Sequence, residues 1–298
     1  MLPNGFEGIY PAIISPHRTD GAFDVDAFER LIDRFYGAGV HGLYVCGNTG
    51  EGYVMSAENR KLAVETAVRC SKDRGKVIAH VGAPAEGDAV ALAAHAAGAG
   101  VDGISSLPPY VQGYRFEEIL AYYQSVAAAS DGRPVFVYYI PAVTHREFSL
   151  PEVDRLLEIE GVVGLKFTNH NLYLMDGILH SPHAPHVFNG HDEILLAGLS
   201  MGAQGGIGGI YNLAPKEFTG IYHAVKAGDM TTGLKLQSQV NRLIRALLAH
   251  GLIPAIREVL RWQGFDCGDP LTPMRPLDEA TKDRLRRDID AADTGVLD

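Results

Sequence analysis

The segment Gly161-Val162-Val163-Gly164-Leu165-Lys166-Phe167-Thr168 is a short apolar run bounded by glycine, which predicts a buried β-strand that contains one lysine. Side chains alternate across a strand, so Val163, Leu165 and Phe167 should share one face. The opposite face should carry the remaining residues, which are Val162, Gly164, Lys166 and Thr168. The sequence therefore predicts that the lysine points into a crowded and partly dry space.

A buried Lys166 has a chemical consequence. Desolvation disfavours the ammonium form and lowers the pKa of a lysine, which makes its amine nucleophilic enough to condense with a ketone. The alternative is a lysine at a strand end that reaches solvent or pairs with a carboxylate, as most lysines do. The eight residues alone leave both interpretations open.

Strand and helix patterns alternate strictly along the chain. Apolar, β-branched runs predict strands at residues 8–14, 42–45, 77–81, 103–106, 134–138, 162–167, 186–188 and 205–207. Helical periodicity lies between them, at residues 25–36, 57–70, 88–97, 116–129, 151–158, 172–179 and 193–201. This alternation predicts an α/β fold with a parallel sheet.

An internal repeat favours a closed barrel. The segments Gly37–Gly42 (GAGVHG) and Gly98–Gly103 (GAGVDG) lie 61 residues apart, which is about two strand–helix units of an eightfold barrel. We therefore predict a (β/α)8 TIM barrel over residues 1–228. Helical patterns at 215–227, 231–250, 253–262 and from 278 onward exceed what the barrel needs, so residues 229–298 are predicted to form a C-terminal helical extension packed on it. A doubly wound open sheet is the alternative, disfavoured because no Gly-x-Gly-x-x-Gly turn follows the first strand.

Composition excludes several classes of function. The chain has 298 residues and a formal net charge of −10 without basic runs, so neither nucleic acid nor an anionic membrane is an expected partner. No apolar run approaches the ~20 residues that span a bilayer. Residues 1–7 lack the features of a signal peptide, and Cys46, Cys70 and Cys267 fit neither paired nor metal-ligand spacing. A soluble, cytoplasmic protein is the expectation.

Polar residues that could carry chemistry follow the predicted strands, where a TIM barrel builds its active site. Tyr138 closes the fifth strand, and Lys166 and Thr168 close the sixth. Two glycine-containing loops follow strands two and seven, with the sequences Gly47-Asn48-Thr49-Gly50-Glu51 and Gly190-His191-Asp192-Glu193. The first loop offers side chains and backbone N–H groups suited to a carboxylate, although a plain tight turn would also need its glycines. Tyr138 could transfer protons or be a structural tyrosine.

Three motifs resemble those of the N-acetylneuraminate lyase and dihydrodipicolinate synthase family: Gly47 to Glu51, Tyr138-Tyr139-Ile140-Pro141 and Gly164 to Thr168. The family consists of TIM-barrel class I aldolases, generally homotetrameric, that need no cofactor beyond a lysine Schiff base with pyruvate. The resemblance implies that Lys166 is that lysine and Tyr138 the proton-transferring tyrosine. It also implies that Asn48 and Thr49 hold the pyruvate carboxylate, although the family usually has serine or threonine where Asn48 stands.

The resemblance is closer to the lyase branch. Val143 stands where the synthases carry an arginine for the second substrate's carboxylate. Gly190, Asp192 and Glu193 match the lyase motif that hydrogen-bonds the sugar's polyol tail, whereas Gly209 replaces a serine common in the lyases. The resemblance implies reversible cleavage of N-acetylneuraminate to pyruvate and N-acetylmannosamine. A synthase or other 2-oxo acid aldolase or dehydratase is one alternative, and a pyruvate-binding regulatory protein is another.

Two further patterns contain residue types found in binding sites. His180, His183, His186 and His191 are close in sequence, but prolines interrupt them and no acidic or cysteine ligand completes a metal spacing. The glycine-rich residues 202–209 could approach a phosphate, but no arginine or lysine occurs there before Lys216. We therefore expect neither a metal site nor a phosphosugar site.

Overall fold

Eight parallel β-strands form the centre of the computed structural model, which describes residues 5–297. They are β1 (Gly8–Pro11), β2 (Gly42–Val45), β3 (Lys76–His80), β4 (Gly103–Ser106), β5 (Val135–Tyr139), β6 (Val162–Phe167), β7 (His186–Asn189) and β8 (Gly205–Gly208). Strands β2 to β8 pair in sequence order, and β8 pairs with β1. The predicted parallel sheet is confirmed.

Helices follow the strands, and several begin at a side-chain cap. They are α1 (Val25–Gly37), α2 (Ala57–Ser71), α3 (Glu86–Ala99), α4 (Phe116–Ala129), α5 (Pro141–Thr144), α6 (Leu150–Leu157), α7 (Leu172–Leu179), α8 (Leu195–Ser200), α9 (Pro215–Lys226), α10 (Met230–Leu248), α11 (Leu252–Trp262) and α12 (Glu279–Ala292). Asp24 accepts a hydrogen bond from Ala27 N–H at the start of α1, and Ser149 and Glu152 form a capping box on α6. Helix α3 ends at Gly100, which adopts the left-handed backbone conformation that favours glycine.

The sheet closes where β1 meets β2. Ala12 forms a parallel bridge with Tyr44, and Ile13 N–H donates to the Tyr44 carbonyl at 3.1 Å. A doubly wound sheet would remain open and would not follow sequence order, so that alternative is wrong. The (β/α)8 barrel is confirmed.

The barrel separates two apolar layers. The outer layer lies between the strands and the helices and is rich in aliphatic side chains. The barrel interior is instead rich in aromatic side chains, and its buried members are Phe6, Tyr10, Ala12, Tyr44, Ile78, Leu107, Phe136, Tyr138, Ile140, Phe188 and Ile207. Aromatic rings occupy much of the barrel interior, and Lys166 is buried among them.

Strand β6 contains an irregularity that the sequence pattern does not reveal. Its pairing with β5 passes from Val162 directly to Gly164 and skips Val163. An extra residue in one strand reverses the alternation before it. Val162 accordingly packs in the outer layer with Leu165, and Val163 is partly buried in the interior layer. The faces predicted for these two valines are wrong, whereas Lys166 is buried as predicted.

The segments beside the site differ from the sequence prediction at two points. Residues 193–201, predicted as one helix, form a 3-10 helix at Asp192–Ile194 followed by the short helix α8. Helix α5 was not predicted, and Pro141 occupies its first position, where a missing N–H has no consequence. Both deviations lie directly after strands, where the chain turns around the site.

The helices beyond α9 pack against the barrel and against one another. Helix α10 contacts both α9 and α12. The division into a barrel at residues 1–228 and an extension at 229–298 stays a prediction, and residues 1–4 and 298 lie outside the described residues. Within residues 5–297, no helix has the length and apolar character needed to cross a membrane.

A buried ion pair joins α11 to the loop after β2. Arg257 Nε lies 2.9 Å from Glu51 Oε2, and both side chains are at most 1% exposed. Arg257 also donates to the carbonyls of Cys267 (2.6 Å) and Ser15 (2.8 Å), while Glu51 Oε1 accepts from Leu271 N–H at 2.7 Å. The pair therefore fastens three separate segments to the loop that contains Glu51.

Replacing Arg257 by Met should strongly destabilise the protein. The change leaves the Glu51 carboxylate buried without its cation, which typically costs about 3–5 kcal/mol. Arg261→Met on the same helix is the control, because Arg261 pairs with carboxylates at a partly exposed position and should lose about 1 kcal/mol or less. Urea unfolding measures both, and equal losses would contradict a special role for the buried pair.

Candidate active site

Lys166 lies near the end of β6 inside the barrel and is 3% exposed. Its Nζ is 4.1 Å from the centre of the Tyr138 ring and 4.3 Å from that of Tyr44. Burial lowers the pKa of Lys166 to about 7, and the nearby Asp192 carboxylate opposes this shift. A substantial fraction of this amine is therefore neutral near pH 7, whereas an exposed lysine is almost fully protonated.

Tyr138 stands beside the lysine because β5 and β6 pair in register at Tyr138 and Lys166. Burial raises the pKa of Tyr138, while the adjacent Thr168 hydroxyl lowers it, so the phenol is protonated at neutral pH. Thr168 Oγ1 is buried and makes no regular hydrogen bond with the described residues. The site thus holds a protonated phenol and an unsatisfied hydroxyl next to a partly neutral amine.

Tyr44 is a contact of Lys166 that our sequence reasoning did not single out. Its hydroxyl lies 3.1 Å from Ser105 Oγ on β4, which fixes the ring below the amine. The Tyr44 and Tyr138 rings meet edge to face, with centres 6.0 Å apart. The alternation of Gly42 to Val45 could have placed Tyr44 on the inward face, but only barrel closure brings β2 close to β6.

The loop from Gly47 to Glu51 has the geometry of an anion-binding turn. Its ends are held by hydrogen bonds from Gly52 N–H to Gly47 O and from Glu51 N–H to Asn48 O. The N–H groups of Asn48 and Thr49 donate to no acceptor within residues 5–297, and both side chains are half-buried. These groups are therefore available to an anionic ligand.

Asp192 follows β7 and is buried beside Lys166. Its Oδ2 accepts from Ile210 N–H at 2.7 Å, whereas Oδ1 is buried without a partner in the described chain. Burial raises the pKa of Asp192 to about 7, opposed by that backbone hydrogen bond. A Cβ at Gly208 would collide with Oδ1, and one at Gly190 would collide with Thr168 Oγ1. Any side chain at position 190 or 208 would therefore displace a polar group near Lys166, so glycine is needed at both positions.

Gly209 departs from the expected serine, and the structure gives a steric account of it. A Cβ at Gly209 would lie 2.7 Å from Thr49 Oγ1, closer than unstrained atoms approach. The Thr49 side chain therefore occupies the space that a larger residue at position 209 would need. A hydroxyl group remains in this region, but it comes from the loop after β2.

Helix α10 holds the backbone of the segment after β7. Gln237 Nε2 donates to the Asp192 carbonyl at 3.0 Å, and Asn241 Nδ2 donates to the Glu193 carbonyl at 3.0 Å. Gln237 Oε1 also accepts from Leu196 N–H at 2.8 Å. Helix α10 thus positions the backbone of both acidic residues, a contact between distant segments that the sequence pattern does not reveal.

The four histidines considered as a metal cluster are dispersed. His186 is buried against Phe136 and Phe188 in the barrel interior, while His180 is exposed at the end of α7. A different group, His170, His191 and Glu193, has ligand atoms within 4.8 Å of one another.

A cleft of about 1030 Å³ opens at the opposite end of the barrel, lined by residues such as Glu7, His41, Lys76 and Asp102. Lys76 and Asp102 form an ion pair there at 2.8 Å. Despite its volume, this cleft lies at the amino-terminal ends of the strands and far from Lys166. The chemistry of the side chains places the candidate active site at the carboxyl-terminal ends.

The dihydrodipicolinate synthetase family model matches residues 5–292, nearly the whole chain. The chain belongs to the dihydrodipicolinate synthetase family. Within this family, the N-acetylneuraminate lyase of Rhizobium meliloti (strain 1021) is 34% identical over 283 residues, which are 95% of this chain and 94% of the relative. The resemblance noted in the sequence is therefore confirmed.

Solved structures of similar proteins share the fold of this chain over nearly its whole length. CdNal from Clostridium difficile, in complex with mannosamine, matches with a TM-score of 0.92 and 30% identity, covering 96% of this chain and 99% of that one. A dihydrodipicolinate synthase matches with a TM-score of 0.90 and 26% identity, covering 96% of this chain and 99% of that one. Fold alone therefore does not separate the two branches of the family.

Replacing Lys166 by Met should stabilise the protein at low and neutral pH. The pKa of Lys166 is about 7 in the folded state and 10.5 in the unfolded state, so the unfolded state binds the proton more tightly. The free energy of unfolding therefore rises with pH between these two values. Each pKa unit corresponds to about 1.4 kcal/mol, so the gain should be several kcal/mol at pH 6 and much smaller at pH 9.5. Urea unfolding of the variant and the parent at the two pH values measures this gain in stability. Lys235→Met, on the exposed face of α10, is the control, and an equal gain there would refute the desolvation argument.

Proposed function

We propose that the protein is a class I aldolase that cleaves N-acetylneuraminate reversibly to pyruvate and N-acetylmannosamine. The observation that carries the proposal is the dry, partly neutral amine of Lys166 between Tyr44 and Tyr138 at the carboxyl-terminal ends of the strands. A lysine of lowered pKa is the nucleophile that carbonyl substrates require for covalent catalysis.

The reaction begins when the neutral amine of Lys166 attacks the keto carbon of the open-chain sugar acid. Loss of water gives an iminium ion, which withdraws electrons from the neighbouring carbon–carbon bond. When that bond breaks, the hydroxyl of the departing part loses its proton and becomes the aldehyde, while the electron pair forms an enamine. Protonation of the enamine and hydrolysis of the resulting iminium release pyruvate and restore the amine.

Tyr138 would move the proton at the departing hydroxyl. Its raised pKa keeps the phenol protonated in the free enzyme, so in the condensation direction it can protonate the aldehyde oxygen. In cleavage the iminium charge, formed 4.1 Å from this ring at the position of Nζ, favours the phenolate that must accept the proton. Thr168 would serve as the neighbouring hydrogen-bond partner, since its hydroxyl is otherwise unsatisfied.

The substrate carboxylate would bind the loop after β2. Asn48 and Thr49 offer side chains and unpaired N–H groups at this point, and a carboxylate is the anion that pyruvate supplies. Asn48 in place of serine or threonine keeps a donor on a longer side chain.

The sugar part would bind Gly190, Asp192 and Glu193. Asp192 has a free buried oxygen and a pKa near neutrality, so it can accept or donate a hydrogen bond to a hydroxyl. An amino sugar is supported by the names of the relatives, among them a structure in complex with mannosamine. Val143 packs against the interior layer and offers no cation to a second carboxylate, which disfavours the synthase reaction.

Several properties accompany this proposal. The iminium supplies the electron withdrawal that a metal would otherwise supply, so we expect no cofactor and no loss of activity with chelators. A homotetramer is expected from the family resemblance, and the cytoplasm is the expected location because residues 1–7 lack the features of a signal peptide. A dihydrodipicolinate synthase, or another 2-oxo acid aldolase or dehydratase, is the second candidate, and a pyruvate-binding regulatory protein is the third.

Borohydride should reduce a pyruvate imine on Lys166 and on no other residue. Because the attacking amine must be unprotonated, the trapping rate should rise with pH through about 7 rather than through 10.5. Peptide mapping by mass spectrometry locates the label, and a pH series gives the midpoint. Label on another lysine, or a midpoint near 10, would contradict the mechanism.

Two variants serve as controls for this experiment. Lys166→Met should lose both label and cleavage activity. Tyr138→Phe should keep the label but lower the cleavage rate about 10²–10⁴-fold, the usual contribution of a positioned proton carrier. A Tyr138→Phe enzyme with the full rate would remove Tyr138 from the mechanism.

N-acetylmannosamine should be a better condensation partner for pyruvate than aspartate semialdehyde. The hydroxyl groups of N-acetylmannosamine can form hydrogen bonds with the polar groups after β7. The carboxylate of aspartate semialdehyde would instead be buried without a cation. Asp192→Ala should reduce kcat/KM for N-acetylmannosamine by about 10-fold or more, since an unpaired hydrogen-bonding group costs about 1–3 kcal/mol. The exposed Asp176→Ala is the control. A preference for aspartate semialdehyde would favour the synthase alternative.

A further inference from the structure

Two histidine rings meet where the segment after β6 lies beside the segment after β7. His170 lies two residues beyond Thr168, and His191 lies between Gly190 and Asp192. Their rings stack with centres 4.0 Å apart and planes inclined by 23°. His170 Nε2 is 2.9 Å and His191 Nδ1 is 3.2 Å from the same atom, Glu193 Oε1. Two imidazoles thus share one carboxylate oxygen.

The stacking favours hydrogen bonding over metal chelation. Zinc binds imidazole nitrogen at about 2.0–2.1 Å, along the lone pair in the plane of the ring. Nearly parallel rings direct these lone pairs along separate planes, so His170 and His191 cannot both meet one ion unless a ring turns. As the rings stand, His170 Nε2 forms a hydrogen bond with Glu193 Oε1, and His191 Nδ1 lies at ion-pair distance from the same oxygen.

The two rings leave Glu193 with one fixed and one free oxygen. Burial opposes ionisation of Glu193, but hydrogen bonds from His191 and His170 and from the backbone lower its pKa to about 2. Its Oε2 makes no hydrogen bond with any described residue. Asn241 holds the backbone carbonyl of the same residue. The carboxylate is therefore ionised, held through Oε1 and through the backbone of its own residue, and able to accept hydrogen bonds through Oε2.

The surroundings of this carboxylate suit a neutral ligand. Lys166 is occupied by the keto acid in the proposed reaction. Val143 is apolar, and Arg146 further along that loop is ion-paired with Glu152. A distal carboxylate on the acceptor would therefore face Glu193 without a compensating lysine or arginine from this loop, whereas hydroxyl groups could donate to Oε2.

We propose that His170 and His191 are specificity-determining residues, which fix Glu193 so that it accepts hydrogen bonds from the distal hydroxyls of a neutral polyhydroxy aldehyde. This inference rests on the proposed aldolase function and names its acceptor class. The histidines act through Glu193 and not on the reacting atoms.

The test compares condensation of pyruvate with N-acetylmannosamine and with glyceraldehyde, which is neutral but too short to present a distal polyol. The variant His170→Leu/His191→Leu removes both donors from Glu193. It should raise KM for N-acetylmannosamine about 10-fold to 100-fold, since hydrogen bonds to charged groups are worth about 1.5–3 kcal/mol. The KM for pyruvate, the borohydride trapping rate and kcat/KM for glyceraldehyde should not change.

A second variant separates hydrogen bonding from packing. His170→Gln and His191→Asn place an amide N–H close to the position of the bonded ring nitrogens, Nε2 and Nδ1, so the double substitution should retain most of the preference. His180→Leu, an exposed histidine at the end of α7, is the control and should behave as the parent. Retention of the full preference by the Leu/Leu variant, or equal losses in both double variants, would overturn the proposal.

The outcomes also distinguish this inference from the proposed function. Failure of pyruvate trapping in the parent enzyme would refute the aldolase assignment. Normal trapping, together with a Leu/Leu variant that prefers N-acetylmannosamine as strongly as the parent does, would refute only the role of the histidines. A parental preference that appears only with added zinc and disappears with a chelator would replace the hydrogen-bonded arrangement by a metal site.

Discussion

The free energy needed to keep an amine dry inside the barrel is the constraint on which the rest of the site depends. Lys166 is buried between two tyrosine rings, and Asp192 supplies only partial compensation because its own ionisation is opposed by burial. A fully charged pair would be more stable but would leave no neutral amine. The aromatic interior of the barrel therefore sets the reactivity of the lysine, and the outer aliphatic layer must provide the stability that the interior gives up.

The polar groups around Lys166 are held by residues remote in sequence. The loop after β2 is fixed by Arg257 on α11, and the segment after β7 is fixed by Gln237 and Asn241 on α10. Each contact is made to a backbone carbonyl or to a buried carboxylate, so each also satisfies a group that would otherwise be unpaired. Helices α10 and α11 thus support the candidate site together with the strands.

The fold and the burial of Lys166 could be predicted from the sequence, because both depend on local patterns. Short apolar runs predict the strands, and the position of Lys166 within such a run predicts that its side chain is buried. What could not be predicted depends on contacts across the fold. The bulge in β6 reverses the faces on which Val162 and Val163 lie, and it arises from the pairing between β5 and β6. The Glu51–Arg257 ion pair joins residues 206 positions apart in the sequence. Likewise, His170 and His191 become neighbours only when the segments after β6 and β7 meet.

The ion pair between Glu51 and Arg257 has a consequence for biosynthesis. The loop after β2 is made early, but its buried carboxylate has no cationic partner until α11 has been translated. A nascent chain can therefore form strands and helices in order along the ribosome, yet it cannot complete this loop before most of the protein has been made. Completion of the candidate site is therefore coupled to translation of the C-terminal helices.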